Sequence, residues 1–353
     1  MESLESIKLK ISEFLVLDEP KKIAIIADND EDGITAALNM VLFLKDRHNV
    51  KTYFFDRHLA KEKFAEDLRL FSPDKTIFLD LGGDFVEEAL TDIADYTKEF
   101  VSIDHHNGVK TYAGAKFEFL KIDPDLFSKV DPSKYAVSKM VFDIFGGNDW
   151  ATAVGIIGDS AAEQWKEFID EVRDKYALTF EQLFDIMSTI VTIRTQHRGM
   201  RDELFNYLCV IDSPEKIFET DFYKLKKEFD KTLEEVRVDY EKNAERFPEY
   251  DLVFYFAKDN IVNPIINPLA KQNKNLTIIF YKKVGGLVNL SLRRGDFKVN
   301  LPELIKYAIS EEPSASGGGH VPASGASFPA PYLETFKERV KTYLKEKYNN
   351  ENN

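Results

Sequence analysis

The chain has 353 residues, of which 44% are hydrophobic and 31% are charged, and its formal net charge is −14. This length exceeds the size at which one hydrophobic core usually stops growing, so two domains are expected in what is otherwise an ordinary soluble composition. The negative charge argues against a protein that coats nucleic acid by charge alone, although a nuclease with a local basic groove is still allowed. The excess of acidic residues could also form an ordinary solvated surface, or a docking face for another protein.

The sequence has no feature of a membrane or secreted protein. The longest apolar stretches, residues 23–27 and 189–193, are too short to cross a bilayer, so no membrane association is expected. The first five residues, MESLE, lack the basic and apolar regions of a signal peptide. A single cysteine, Cys209, excludes an internal disulfide framework and fits a reducing compartment. We therefore expect a cytoplasmic protein.

The first part of the chain has the pattern of a parallel α/β sheet, in which apolar strand-like runs alternate with amphipathic segments. The predicted strands are residues 22–27, 51–55, 76–81 and 100–103, and the predicted helices are residues 34–45, 135–145 and 163–176. Residues 1–190 are therefore predicted to form the first domain.

The rest of the chain changes character twice. Residues 178–249 are helical in pattern and highly charged, and one long helix is predicted over residues 222–246. Residues 191–250 are thus predicted to be a helical connector, although the segment could instead complete the first domain. From residue 251 a smaller α/β domain is expected, ending at residue 348. Its predicted parts are strands at 252–256, 276–281 and 287–292, a Gly-Ser loop at 314–327, a helix at 332–348 and a frayed tail.

An acidic motif follows the first predicted strand. Asp28, Asp30 and Asp32 occupy alternate positions, and Gly33 permits a tight turn into the next helix. Carboxylates crowded at the end of a parallel strand repel one another unless a cation neutralises them. The same pattern opens a calcium-binding EF-hand loop, but that loop needs a glutamate at its twelfth position, which is Asn39 here. A metal site is favoured over an ordinary acidic turn.

Further candidate ligands follow other predicted elements. Asp80 ends the third strand, and Asp104, His105 and His106 follow the fourth. Imidazole combined with carboxylates suits Mn²⁺ better than Ca²⁺, and a neighbouring acid such as Asp104 can orient a ligating histidine. Asp159 follows an apolar run of small residues and is a fourth carboxylate site. Alone, Asp80 could be a turn residue and Asp159 a helix N-cap.

The predicted Gly-Ser loop contains a second candidate site. Consecutive glycines expose backbone N–H groups and allow a phosphate to approach closely, and a histidine there can donate to a phosphate or stack on a base. Arg293 and Arg294 end the preceding strand and could clamp a phosphate, whereas a flexible linker is the alternative interpretation of the glycines. The residues of the glycine run are Gly317, Gly318, Gly319 and His320.

This ordered set of motifs resembles the DHH phosphoesterase superfamily in the form that joins a DHH domain to a DHHA1 domain. Within it, the chain is most similar to RecJ-like single-strand nucleases, particularly the shorter archaeal ones, and the resemblance covers nearly the whole chain. The first motif is matched by Asp28, Asp30, Asp32 and Gly33, the second by Asp80, the third by residues 104–106 and the fourth by Asp159. Arg293 and residues 317–320 match the DHHA1 signature.

The resemblance implies the roles of these residues. Two Mn²⁺ ions, with Mg²⁺ or Co²⁺ as alternatives, would be held by Asp30, Asp32, Asp80, His105 and Asp159, with Asp80 bridging. Asp28 and Asp104 complete the predicted metal set, and His106, Arg293, the three glycines and His320 would contact substrate. Many relatives have a histidine two residues before the first motif aspartate, and here that residue is Ile26.

The function implied is a metal-dependent exonuclease specific for single-stranded DNA or RNA. Two alternatives are open: a phosphodiesterase for nanoRNA or cyclic dinucleotides, and a replication or repair factor resembling the Cdc45 relatives, which acts with protein partners. A homo-oligomer is compatible with each.

Overall fold

The computed structural model describes residues 1–55, 61–82, 99–106, 118–258 and 262–351. The chain forms two compact units, Met1–Lys227 and Glu228–Asn353. Residues 191–227 of the predicted connector lie in the first unit and residues 228–250 in the second, so this boundary differs from the limits expected from the sequence. No helix in the described part of the chain is long and apolar enough to span a membrane.

The first unit contains a five-stranded, fully parallel sheet. Its strands are β1 (Lys22–Asp28), β2 (Asn49–Phe55), β3 (Lys75–Leu79), β4 (Glu99–Ile103) and β5 (Glu118–Ile122). They lie in the order β2-β1-β3-β4-β5. All five residues of the central strand, β3, are buried, as expected where both faces of a parallel sheet are covered. The predicted α/β fold is therefore confirmed.

Several helices of the first unit pack against one another. The second helix packs against the fourth and fifth. The first helix was not expected from the sequence, although Ser3 caps it. The described helices are α1 (Leu4–Leu15), α2 (Glu31–Leu44), α3 (Lys61–Phe71), α4 (Val137–Phe145), α5 (Asp149–Gly158), α6 (Lys166–Tyr176), α7 (Phe180–Gln196), α8 (Arg201–Leu208) and α9 (Asp221–Asn243), which crosses the unit boundary.

The second unit contains a mixed sheet. Its strands are β6 (Glu245–Phe247), β7 (Leu252–Phe256), β8 (Thr277–Val284), β9 (Leu287–Arg293), β10 (Ser316–His320) and β11 (Ala323–Pro329). They lie in the order β10-β11-β9-β8-β7-β6, in which only the β7–β8 pair is parallel. The remaining described helices are α10 (Asn263–Gln272), α11 (Leu301–Ala308) and α12 (Leu333–Glu351), which extends into the tail that was expected to fray.

The prediction of a Gly-Ser loop is wrong, because most of that segment forms the antiparallel hairpin of β10 and β11. Gly318 pairs with Gly325, and only residues 321 and 322 connect the two strands. Small residues disfavour a strand by intrinsic propensity. Here the alternate residues Ala326 and Phe328 are buried with α11 and α12, and this packing outweighs the propensity.

Candidate functional site

The carboxyl ends of three adjacent parallel strands meet at one edge of the first sheet. Asp28 ends β1, Asp80 follows β3 and Asp104 follows β4, and these strands are neighbours in the sheet. Ligands of open α/β sheets bind at this edge. The sheet therefore brings together three acidic groups that are 52 and 24 residues apart in the sequence.

The acidic turn after β1 is fixed by close backbone packing. Asp30 is the N-cap of α2, and its Oδ1 accepts a hydrogen bond from the Gly33 amide at 2.9 Å. A Cβ atom on Gly33 would lie 2.4 Å from the carbonyl oxygen of Asp28, so no larger residue fits. Burial, together with the nearby charge of Asp30, raises the pKa of Asp28 to about 6.

Asp32 has a structural contact in addition to its place in the centre. Its Oδ2 and Oδ1 accept hydrogen bonds from the backbone amides of Val137 at 2.6 Å and Ser138 at 2.9 Å. These amides begin α4, whose own N-cap residue, Ala136, provides no side-chain cap. Burial raises the pKa of Asp32, and the Asp30 carboxylate adds to the shift. Asp32 thus joins α2 to α4 at this edge of the sheet.

Asp80 is the most constrained of the carboxylates. Its φ angle of 59° is in the left-handed region, which aspartate adopts more readily than most residues, and its amide donates to the carbonyl of Ile103 at 3.1 Å. Its Oδ1 lies 3.5 Å from His105 Nε2 and 3.8 Å from His106 Nδ1. Burial, reinforced by the neighbouring carboxylates, raises the pKa of Asp80 well above its usual range.

The two histidines after β4 have different environments. His105 is buried, and its Nδ1 lies 3.8 Å from Asp159 Oδ2. His106 is half exposed, and its Nδ1 forms a 2.7 Å hydrogen bond with Oδ1 of the fully buried Asp104. That hydrogen bond raises the pKa of His106 against the effect of burial. Asp104 is therefore placed to orient His106.

Asp159 lies at the end of a helix rather than of a strand. It is the first residue after α5 and therefore a C-cap, so the alternative prediction of an N-cap is wrong. Burial raises its pKa to about 7, with added repulsion from Asp32 and Asp30. Since a helix C-terminus does not favour a negative charge, the placement needs a compensating positive charge nearby.

These side chains form three overlapping groups whose ligand atoms lie within 4.8 Å of one another. Asp80 and His105 each belong to two of the groups. The groups are Asp28, Asp30 and Asp80; Asp80, His105 and His106; and Asp32, His105 and Asp159. Asp104 is in none of them, in keeping with its contact to His106.

The donor set fits divalent cations. In the described part of the chain, seven buried polar side-chain atoms have no hydrogen-bond partner, and four of them are in this cluster. They are Asp80 Oδ1, Asp104 Oδ2, His105 Nδ1 and Asp159 Oδ2. Buried polar atoms are normally satisfied, and carboxylates that raise one another's pKa values are stabilised by a shared cation.

Ile26, where the family resemblance suggested a missing ligand, is not part of this centre. It is fully buried in a cluster that includes Ala24, Phe78 and Phe100, on one face of the sheet. Asp28, two residues later, is in the group with Asp30 and Asp80 instead. A side chain at position 26 therefore lies within the core, and Asp28 is the residue at the site.

Two arginines contact the acidic turn, although no motif marks them. Arg194 Nε lies 2.7 Å from Oε1 of the buried Glu31, and Arg201 Nη1 donates to Asn29 Oδ1 at 3.4 Å. The positive charge of Arg194 also lowers the pKa of Asp28, although burial outweighs it. The sequence feature that could have indicated these contacts is the cluster of arginines over residues 194–201 in an otherwise acidic chain.

The second sheet has a glycine-rich patch on the face opposite to the core cluster that packs against α11 and α12, and α10 packs elsewhere on that same face. Strand register places His320, Ala323 and Arg293 in one row, and Gly318, Gly325 and Ser291 in the next. Directly paired residues of antiparallel strands point to the same side. Because Ala326 and Leu292, next to these rows, are buried in the core, the rows belong to the other face. We call these six residues the glycine-rich face.

The three consecutive glycines differ in what surrounds them. A Cβ on Gly317 would lie 2.6 Å from Ile305 Cγ2, and Gly319 has a φ of 143° and a close approach to the Ala323 carbonyl. A Cβ on Gly318 would meet no atom within 4 Å. Gly317 and Gly319 are therefore explained by packing and conformation, whereas no contact within the described residues requires a glycine at 318.

The two arginines at the end of β9 also differ. Arg294 is buried, and its Nε and Nη2 donate to the two carboxylate oxygens of Asp296 at 2.9 and 3.0 Å. It is therefore an internal ion pair, and the suggestion that it clamps a phosphate is not supported. Arg293 is on the glycine-rich face and is half-buried.

Comparisons with known proteins agree with this architecture. A family model described as the DHH family, N-terminal domain, matches residues 22–165, which include every candidate ligand of the first unit. A model described as the DHHA1 domain matches residues 252–346, which include Arg293 and the glycine run. No curated protein matches the sequence.

Solved structures share the fold at low sequence identity. A RecJ exonuclease bound to manganese is 18% identical, with a TM-score of 0.64, over 98% of this chain and 95% of that one. RecJ from Thermus thermophilus in complex with Mn²⁺ is 17% identical, with a TM-score of 0.60, over 97% of this chain but only 55% of that one. Cdc45 from Entamoeba histolytica is 10% identical, with a TM-score of 0.54, over 97% and 99%. At these identities the likeness shows the fold alone.

Proposed function

We propose that this chain, which belongs to the proteins that join a DHH domain to a DHHA1 domain, is a metal-dependent phosphodiesterase that removes nucleotides from the end of single-stranded DNA or RNA. One observation carries the proposal: carboxylates and imidazoles converge in overlapping groups, in which three buried polar atoms have no hydrogen-bond partner, and a fourth such atom belongs to the adjacent Asp104. Such a set is suited to divalent cations that act on a phosphate. RecJ structures of the same fold were determined with manganese, which supports the proposal.

Two Mn²⁺ ions are the proposed cofactors, with Mg²⁺ or Co²⁺ as substitutes. Asp28, Asp30 and Asp80 would hold one, and Asp80 and His105 with Asp159 and Asp32 would hold the other. When bound, such ions lower the pKa of a water molecule and offset charge on the phosphoryl oxygens. Asp80 is suited to serve both because it belongs to two of the groups and one of its oxygens has no hydrogen-bond partner.

The side chains around this centre would position the reacting groups. Asp104 holds His106 through Nδ1, which leaves His106 Nε2 to donate to a phosphate oxygen. The hydrogen bond to Asp104 raises the pKa of His106, and a positive charge on this imidazole would stabilise a developing negative charge. In the second unit, Arg293, His320 and the backbone at Gly318 would hold the strand.

The proposal is tested by digestion of end-labelled single strands of roughly 20 nucleotides, longer than the usual footprint of one small binding fold. DNA and RNA labelled at either end are incubated with Mn²⁺ beside a duplex and a dinucleotide. We expect stepwise shortening of a single strand and little cleavage of the duplex. If only the dinucleotide is cleaved, the enzyme is a small-substrate phosphodiesterase instead.

A non-catalytic replication or repair role is disfavoured by the convergence of the candidate ligands, although the fold is shared with Cdc45. A chain that binds no divalent cation and cleaves none of these substrates would favour that role. In that case a replication or repair protein is the partner to seek.

A further inference from the structure

The guanidinium of Arg293 is held by neutral groups only, which distinguishes it from Arg194 and Arg294. Its Nε donates to Asn267 Oδ1 at 2.8 Å and its Nη2 to Asn263 Oδ1 at 3.1 Å, while its Nη1 donates to the Leu292 carbonyl at 2.8 Å. Within the described residues, no carboxylate lies within ion-pair distance of this guanidinium. By contrast, Arg294 next to it is paired with Asp296.

The two asparagines that contact Arg293 belong to the same helix. Asn263 and Asn267 are four residues apart on α10, so both side chains lie on the same helix face. Each precedes a proline, Pro264 or Pro268, yet α10 continues through both. Both asparagines are exposed, so the stability of the core does not depend on them.

Burial without a counter-charge leaves Arg293 ready to accept an anion. Desolvation lowers the pKa of Arg293, and no neighbouring charge among the described residues opposes the shift. An arginine has five N–H donors, of which three are used here, so one remains on each Nη nitrogen. Guanidinium donors of this kind bind the oxygens of a phosphate. The amide oxygens orient the group without cancelling its charge.

We propose that Asn263 and Asn267 are positioning residues that hold Arg293 in its phosphate-binding orientation while leaving its charge uncompensated. The anion is a backbone phosphate of the bound strand, next to His320 and Gly318 on the glycine-rich face. This inference rests on the proposed function, since it names the residues by which the second unit would grip a strand. Asparagine is required here because aspartate, although the same shape, would satisfy Arg293 internally.

The test uses near-isosteric substitutions in the full-length protein. Asn267→Asp introduces a carboxylate 2.8 Å from Arg293 Nε, at the position where the amide oxygen now lies. Gln272→Glu makes the same charge change at an exposed position of the same helix and is the matched control. Arg293→Gln removes the charge itself. Binding of a fluorescent single-stranded oligonucleotide is measured at several salt concentrations in a chelator, so that hydrolysis does not interfere.

The salt dependence separates positioning from a merely structural role. Neutralising one phosphate contact of a single strand reduces the slope of log affinity against log salt by about 0.7. We expect this reduction, with weaker binding, for Asn267→Asp and for Arg293→Gln, and no further reduction when the two are combined. Gln272→Glu should keep the slope of the unmodified protein, and melting temperatures show whether each variant is folded.

The possible outcomes are distinct. If Asn267→Asp, folded, binds with the slope and affinity of Gln272→Glu, the positioning role is overturned while the nuclease proposal stands. If the unmodified protein does not bind the oligonucleotide at all, the proposed substrate class fails, and the inference fails with it. Asn267→Leu removes the amide and adds no charge. If this variant keeps the full salt slope but binds the oligonucleotide more weakly, the result supports orientation of Arg293 by the Asn267 amide.

Discussion

At the scale of single residues, the candidate centre combines groups that are unfavourable for the metal-free fold. Asp80 is buried beside other carboxylates, in a left-handed backbone conformation, with one oxygen unpartnered. Strained backbone and unsatisfied polar groups are concentrated at functional sites. Asp32, equally buried, differs because both of its oxygens accept backbone hydrogen bonds.

The first prediction concerns Asp80→Asn. Asparagine tolerates a left-handed backbone and removes one charge from the cluster, so the metal-free variant should be more stable than the unmodified protein. A gain on the order of 1 kcal/mol would raise the melting temperature by about 2–4 °C. Added Mn²⁺ should then stabilise the variant much less than the unmodified protein. If Asp80→Asn instead melts at a lower temperature than the unmodified protein in chelator, Asp80 stabilises the fold without a metal.

The second prediction concerns pH. The pKa values of Asp28 and Asp159 are raised to about 6 and about 7 in the folded chain, above the ordinary value of 3.8. The folded state therefore binds more protons than the unfolded state in this range. This contribution to stability is complete below pH of about 4 and is lost as the pH rises through 6 and 7.

The melting temperature of the metal-free protein should accordingly fall between about pH 5 and pH 8. With saturating Mn²⁺ the trend should reverse, since the metal binds the deprotonated carboxylates and competes with protons. Asp159→Asn should flatten the metal-free profile. A metal-free melting temperature that rises over the same range would contradict the assignment of these groups.

At the scale of elements, the β10–β11 hairpin divides one glycine run between the two faces of a sheet. Gly317 packs against α11, and Gly318, paired with Gly325, is on the opposite face. Because successive residues of a strand face opposite sides of the sheet, neighbouring glycines have different surroundings.

The third prediction compares two substitutions within that strand. Gly317→Ala places a methyl group against Ile305 and should destabilise the second unit by about 1–3 kcal/mol. Gly318→Ala meets no described protein atom, so its free energy of unfolding should change by less than about 0.5 kcal/mol. Its affinity for a single strand should nevertheless fall about tenfold, equal to about 1.4 kcal/mol. Chemical denaturation and oligonucleotide binding provide the two measurements, and unchanged affinity in Gly318→Ala would exclude close approach of the strand there.

At the scale of the whole molecule, the sequence predicts the central architecture because its signals are local. The apolar runs before Asp28, Asp80 and Asp104 identify parallel strands, and the order of the motifs then implies convergence at one sheet edge. The predicted class, a parallel α/β domain followed by a smaller α/β domain, is confirmed.

Features that depend on tertiary packing were not predictable. The hairpin at Gly318 was not predicted because its residues have low strand propensity. The position of Asp159 at the end of a helix was not predicted because a short apolar run does not show that α5 is a buried helix. The different roles of Arg293 and Arg294 depend on Asp296 and on α10, which adjacency in the sequence does not reveal.

The central claim is that the clustered carboxylates and histidines hydrolyse phosphodiester bonds with the help of divalent cations. It is tested most directly by the initial rate of nucleotide release from an end-labelled single strand, measured for the unmodified protein and for Asp80→Asn with Mn²⁺ and with a chelator. Since loss of groups that merely support ligands costs about 10–100-fold, we expect Asp80→Asn to lose more than about 100-fold. We also expect the chelator to abolish release by the unmodified protein. Release that persists in chelator, or that Asp80→Asn leaves unchanged, would contradict the claim.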